Sequence, residues 1–190
     1  MRNLYVISGV TGMTGNELSR QFVSQGHMVI GFDNFFASSI DTVKDIIDNP
    51  SFIFYNYDIN DTEQMNEVCD KVKAFKAECD GRLVFINCAA VVHTKHFYEV
   101  EHTFQTNVLA MKDFLERAIA LGADTYINCS TSEVYSMQSW NENGGVRESD
   151  YLAMSTAEHS QRTLYACGKL MTEFFMKDAV DKGRIKGVSL

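Results

Sequence analysis

Tyr165 and Lys169 stand four residues apart in Tyr165-Ala166-Cys167-Gly168-Lys169, a spacing that puts both side chains on one face of a helix. An ammonium beside a phenol favours the phenolate, which makes a general base of a group whose ordinary pKa is about 10. The same spacing also arises on solvated helices, where it does no chemistry. Upstream, Cys129-Ser130-Thr131-Ser132-Glu133-Val134-Tyr135 gathers hydroxyls and a carboxylate directly after an apolar run. Such a run either caps a helix or faces a reacting group. Near the N-terminus, Gly9-Val10-Thr11-Gly12-Met13-Thr14-Gly15 sets glycines at Gly-x-x-Gly-x-x-Gly. Gly9 permits a tight turn, Gly12 lets the backbone approach a pyrophosphate, and Gly15 lets a helix pack close to a strand, with Thr11 and Met13 carried in the same turn.

Asp33 falls 24 positions after Gly9, where a carboxylate accepts hydrogen bonds from a ribose diol and repels a 2′-phosphate. No Lys or Arg lies between Asn34 and Val43 to neutralise that phosphate, so the expected cofactor is NAD rather than NADP. Asp58-Ile59 follows the third apolar run, and its carboxylate is either an adenine contact or an ordinary turn residue.

These groups need elements that bring them to one place. Apolar runs at Leu4 to Ser8, Met28 to Phe32, Phe52 to Tyr55, Leu83 to Asn87 and Thr125 to Cys129 read as strands buried on both faces. Helical patterns alternate with them at Thr14 to Gln25, Ile40 to Asp48, Asp61 to Glu78, Val100 to Leu121 and Gln161 to Lys182. Alternation of this kind requires crossover connections, which predicts an α/β fold with a doubly wound, Rossmann-like parallel sheet. Residues 1–190 are expected to be one NAD-binding domain. Lys186 to Leu190 read as the first half of a sixth strand, so the chain is expected to be cut within it and to lack a C-terminal substrate-binding part. The polar stretch from Ser136 to Ser160 is expected at the carboxyl edge of the sheet, as an ordered lid or a disordered surface loop.

With 45% hydrophobic and 22% charged residues, the chain falls in the range of ordinary globular proteins, which excludes disordered and fibrous classes. Its 17 Lys and Arg against 25 Asp and Glu give a net charge of -8, which disfavours nucleic acid as a partner. No apolar run approaches the ~20 residues a bilayer demands, so no membrane span is expected. Five cysteines without a Cys-x-x-Cys pair argue for a reducing, cytoplasmic setting rather than a disulfide framework or zinc site. His93, His96 and His102 lack acidic or thiol partners at metal spacing, so no metal is expected and these histidines read as solvated or as part of a substrate loop. The apolar face with Phe104, Val108, Met111 and Leu115 reads as core or as a helix-pair dimer face.

Taken together, the glycine trio, Asp33-Asn34, Asp58-Ile59, Ala89-Ala90, Thr106-Asn107-Val108, the Ser130 to Tyr135 run and Tyr165-x-x-x-Lys169 occur in the order and approximate spacing of a known family. The chain resembles the extended short-chain dehydrogenases/reductases, and within them the cofactor half of NAD-dependent nucleotide-sugar epimerases, dehydratases and decarboxylases. That resemblance implies Tyr165 as the base for a sugar hydroxyl, with Lys169 holding the nicotinamide ribose and lowering the tyrosine pKa. It implies Thr131 as a hydrogen-bond partner of the reacting oxygen, and Glu133 as a second acid/base after oxidation. Ala89-Ala90 would border the dinucleotide and Asn107 would support the site. A nucleotide sugar passing through a 4-keto intermediate is the implied substrate, and a homodimer the implied assembly. Two other classes remain: a non-catalytic NAD-binding regulatory module, which has no need of Thr131, Tyr165 and Lys169 together, and a short-chain reductase of a small carbonyl, whose glycines are typically spaced Gly-x-x-x-Gly-x-Gly.

Overall fold

Segments rich in β-branched and aromatic residues become the strands β1 (Leu4–Ser8), β2 (Met28–Phe32), β3 (Phe52–Tyr55), β4 (Leu83–Asn87) and β5 (Thr125–Asn128), and the more polar Lys186–Ser189 forms β6. The computed structural model describes residues 1–93, 99–135, 145–148 and 161–190. Most of the expected loop at 136–160 therefore lies outside the described residues, as does His96. Among the described residues, one six-stranded sheet runs in the order β3-β2-β1-β4-β5-β6, with every pairing parallel. The crossovers are α1 (Met13–Ser24), α2 (Thr62–Lys76), α3 (Val100–Phe104) continuing into α4 (Met111–Ala120), and α5 (Gln161–Asp181). The doubly wound, Rossmann-like sheet expected from the sequence is the fold observed. Strand order reverses between β1 and β4, and ligands of such sheets bind in the crevice outside the carboxyl ends at that point.

The period of two along each strand divides the core into two layers. Leu4 and Val6 of β1 join Met28, Ile30, Phe32 and Phe85 under α2, α4 and α5, whose Val68, Phe114 and Met176 close over them. Ile7, Val29, Val84 and Ile86 face the other way, against Val23 of α1 and Val43. Side chains such as Phe85 and Phe114, each 1% exposed, contribute roughly 1.5–3 kcal/mol apiece by leaving water. α2 starts where Asp61 accepts hydrogen bonds from the Glu63 and Gln64 N–H groups, a side-chain cap.

Two expected helices differ. The pattern from Ile40 to Asp48 is not one helix: a single 3₁₀ turn spans Ile40–Val43, and three-residue N–H bonds follow, Ile46 to Val43 O and Asn49 to Ile46 O, both at 3.0 Å. The side chains take the backbone elsewhere. Thr42 Oγ1 donates to Thr11 O at 2.9 Å, the Arg20 guanidinium donates to the Thr42 carbonyl, and Pro50 disfavours helix at Asn49. Between α3 and α4 the expected single helix instead contains a π-helical turn over Gln105–Ala110, which carries the buried Thr106 and Asn107.

Candidate functional site

Gly9 has φ +67°, and a Cβ there would stand 2.7 Å from the Ala89 nitrogen, so no other residue makes this turn without displacing the segment that follows residue 87. Gly15 lies against the same turn, and a Cβ on it would meet Gly9 O at 2.4 Å. α1 begins at Gly12 with no side-chain cap and no acidic residue in its first turn. Its leading N–H groups thus face a cleft of about 990 Å³ with the positive end of the helix dipole behind them.

This cleft lies at the strand-order reversal. Gly9, Thr11, Gly12, Met13 and Gly15 line it from the first turn, Asp33 and Asn34 from the end of β2, Ile59 from beyond β3, and Ala89 and Ala90 from beyond β4. The Asp33 carboxylate is held in place by two backbone N–H donors, Thr11 at 3.2 Å and Phe35 at 2.8 Å. Phe35 adopts φ +59°, a bend that turns the loop back over Phe54, whose ring it stacks at 5.6 Å. The Asp58 carboxylate bonds to its own turn and to the loop after β2: Oδ1 accepts from the Asn60 N–H at 2.8 Å, and Oδ2 accepts from the Asn34 amide at 2.9 Å. Asn107 acts through the backbone. Its Oδ1 accepts the Val91 N–H at 2.7 Å and its amide donates to Val91 O at 3.1 Å, fixing the segment that carries Ala89 and Ala90. His93 and His102 also line the cleft, and Phe36 packs on the His102 ring at 5.0 Å.

The second group, Thr131, Glu133, Tyr165 and Lys169, lies beside this cleft rather than in its lining. Tyr165 is 8% exposed and hydrogen-bonded to Thr131. Burial pushes its phenol above the ordinary range, the Thr131 hydrogen bond opposes this, and Glu133 adds to it. The expected lowering by Lys169 is not what the structure holds, because Lys169 Nζ donates instead to the Cys129 carbonyl at 2.7 Å. At 3% exposure, burial lowers the Lys169 ammonium to about 8, partly offset by Cys129 and Cys88. Thr131 Oγ1 also accepts the Glu133 N–H at 3.3 Å, so it caps the 3₁₀ turn Ser132–Tyr135 as well as meeting the phenol. Glu133 pairs loosely with Arg162 at 3.7 Å.

Two features escaped the sequence reading. A buried polar chain crosses the carboxyl ends of the central strands: Ser8 Oγ donates to Asn87 Oδ1 at 2.7 Å, Asn87 to Asn128 Oδ1 at 3.4 Å, and Asn128 to Thr172 Oγ1 at 2.8 Å. In addition, Cys88 Sγ and Cys129 Sγ lie 3.6 Å apart, with Cys88 in the cleft lining and Cys129 against Lys169. The thiol pair is thus the joint between the two groups.

Fold and cleft together define a Rossmann-type dinucleotide-binding protein. The chain belongs to the NAD dependent epimerase/dehydratase family, whose model matches residues 5–190, and NAD is the cofactor of that family. Among solved structures, it resembles the Bordetella bronchiseptica enzyme WbmH in complex with NAD+ at 18% identity and a TM-score of 0.77, covering 100% of this chain and 55% of that one. It also resembles the dTDP-glucose 4,6-dehydratase of Bacillus anthracis in complex with NAD, at 21% identity and TM-score 0.76, covering 100% and 54%. The UDP-glucose 4-epimerase of Thermotoga maritima with UDP-glucose matches at 19% identity and TM-score 0.72, covering 98% and 54%. The chain thus spans about half the length of these structures. No curated protein matches the chain in sequence.

Proposed function

We propose that residues 1–190 are the NAD-binding domain of a nucleotide-sugar epimerase, dehydratase or decarboxylase working through a 4-keto sugar. One observation carries the reading: the dinucleotide cleft and the Thr131–Tyr165 contact beside a buried Lys169 share the same carboxyl edge. NAD, when bound, supplies the hydride acceptor. Tyr165 takes the proton of the sugar hydroxyl as its carbon is oxidised to the ketone, and Thr131 donates a hydrogen bond to the oxygen that changes. Lys169 presents an ammonium to the ribose next to that oxygen. Glu133 then serves as the acid/base for the step that separates the three outcomes. Asp33 receives the adenosine ribose diol, and the open N–H groups of α1 receive the pyrophosphate. Apolar side chains left exposed on α3, the π turn and α5, among them Phe104 at 48% and Phe174 at 57%, suit a homodimer face.

Calorimetry with NAD and NADP, followed by a panel of UDP- and dTDP-sugars monitored for nicotinamide reduction, tests the proposal. A clear preference for NAD and sugar-dependent reduction are expected. Equal affinity for the two cofactors would overturn the role of Asp33, and a full-length protein inert to every nucleotide sugar would overturn the reaction.

A further inference from the structure

β4 and β5 pair in parallel with Asn87 opposite Asn128, so the residues that follow, Cys88 and Cys129, leave the sheet side by side. Strands paired in this way lie about 4.8 Å apart, inside the Cα separation a disulfide needs. The two sulfurs, at 3.6 Å, need to close by roughly 1.5 Å to reach the ~2.05 Å of a bond, a distance that side-chain rotation covers. Both residues are only partly buried, and Cys88 opens on the cleft.

We propose that Cys88 and Cys129 form a redox site, closing reversibly into a disulfide by exchange with a small-molecule disulfide that enters through the cleft, and that a dinucleotide lying in the cleft blocks the exchange. The chemistry is thiol–disulfide exchange. Cys129, having given up its proton, attacks one sulfur of the entering disulfide and releases the other as a thiolate, which takes that proton. Cys88 then loses its proton and attacks the Cys129 sulfur, releasing the second thiol. Two protein thiols and one external disulfide thus become one protein disulfide and two external thiols. The local field suits this order. The Cys88 S–H donating to Cys129, with the Lys169 ammonium nearby, brings the Cys129 thiol down to about 7, while the same contact pushes Cys88 up. Closing the bond also removes the sulfur anion that supports the charge on Lys169. Protection by the dinucleotide rests on the cofactor reading above; the bond itself does not.

The test treats the purified chain with oxidised glutathione, quenches with acid and counts alkylated thiols by mass. The expected result is a loss of two of the five thiols, with a cross-linked peptide joining Cys88 to Cys129, restored by dithiothreitol. Cys88→Ser should instead leave Cys129 as a stable mixed disulfide with glutathione. Saturating NAD should slow closure by roughly tenfold or more, since exchange requires access to the thiol. Five surviving thiols, or a link between any other pair, would overturn the site. NAD that binds by calorimetry yet leaves the rate unchanged would overturn entry through the cleft. If NAD does not bind at all, the dinucleotide reading fails while the thiol count still decides the disulfide.

Discussion

Tyr165 is held away from water against Thr131, and its phenol is correspondingly harder to ionise than a free one. In the role of base proposed above, it needs a neighbouring charge or the bound substrate to help the proton leave, so its contribution would belong to the chemical step. If the proposed reaction holds, Tyr165→Phe should lower kcat by about 10²-fold or more with little change in NAD affinity; single-turnover kinetics with nearly unaltered sugar oxidation would remove Tyr165 from the proposed mechanism. Lys169 makes a separate prediction about stability. Burial lowers its folded pKa from 10.5 to about 8, so between these values the unfolded chain binds more protons than the folded one. Stability from this group therefore rises with pH across that window, and below it the buried ammonium costs on the order of 3 kcal/mol. Lys169→Met should remove that slope: urea denaturation at pH 7 and pH 10 should show the difference between variant and parent shifting in favour of the parent as pH rises. A pH-independent difference would mean that Lys169 is not the buried cation described.

The π turn at Gln105–Ala110 is the element that gives Asn107 its reach, because the extra residue in the turn re-aims the side chains that follow α3. Asn107→Ala leaves the Val91 N–H and carbonyl without their partners, which should cost about 1–3 kcal/mol and weaken NAD binding through the Ala89-Ala90 segment. Unchanged calorimetric affinity would show that the clamp does not position the cleft. This residue also marks the limit of legibility. Strands, sheet type and the Gly9 to Gly15 turn could be read because each is written in consecutive residues with its own period or spacing. The π turn could not, since Thr106, Asn107 and Val108 fit an ordinary helix equally well. The segment from Ile40 misled for a different reason: its apolar spacing suits a helix, but Arg20 takes the Thr42 carbonyl and the Thr42 hydroxyl ties the segment to the Thr11 carbonyl, and neither contact is visible until β1, α1 and the turn between them are in place. Cys88 and Cys129, like Ser8, Asn87 and Asn128, become neighbours only once the strand order is known.

At the scale of the molecule, the apolar side chains on α3 and α5 predict self-association. Phe174→Asp should turn a dimer into a monomer by light scattering without altering NAD affinity, because Phe174 stands on α5 away from the cleft lining; a parent chain already monomeric at micromolar concentration would rule the face out. The parallel order β3-β2-β1-β4-β5-β6 has one more consequence, for the route by which the sheet assembles. Residues of β1 and β2 meet across 24 positions, as Leu4 and Met28 do, whereas β1 and β4 meet across 79, as Ser8 and Asn87 do. Closing the longer loop costs about 1 kcal/mol more in chain entropy, which favours a folding nucleus built from β1, α1 and β2 with β4 docking after the rate-limiting barrier. Ile30→Val should then slow refolding, while Ile86→Val should chiefly speed unfolding, and equal φ-values at the two positions would show that both halves of the sheet form together. The crevice on which the cofactor depends would on this route close only when β4 docks beside β1, so a chain emerging from synthesis would hold its phosphate turn before it had anywhere to put the nicotinamide.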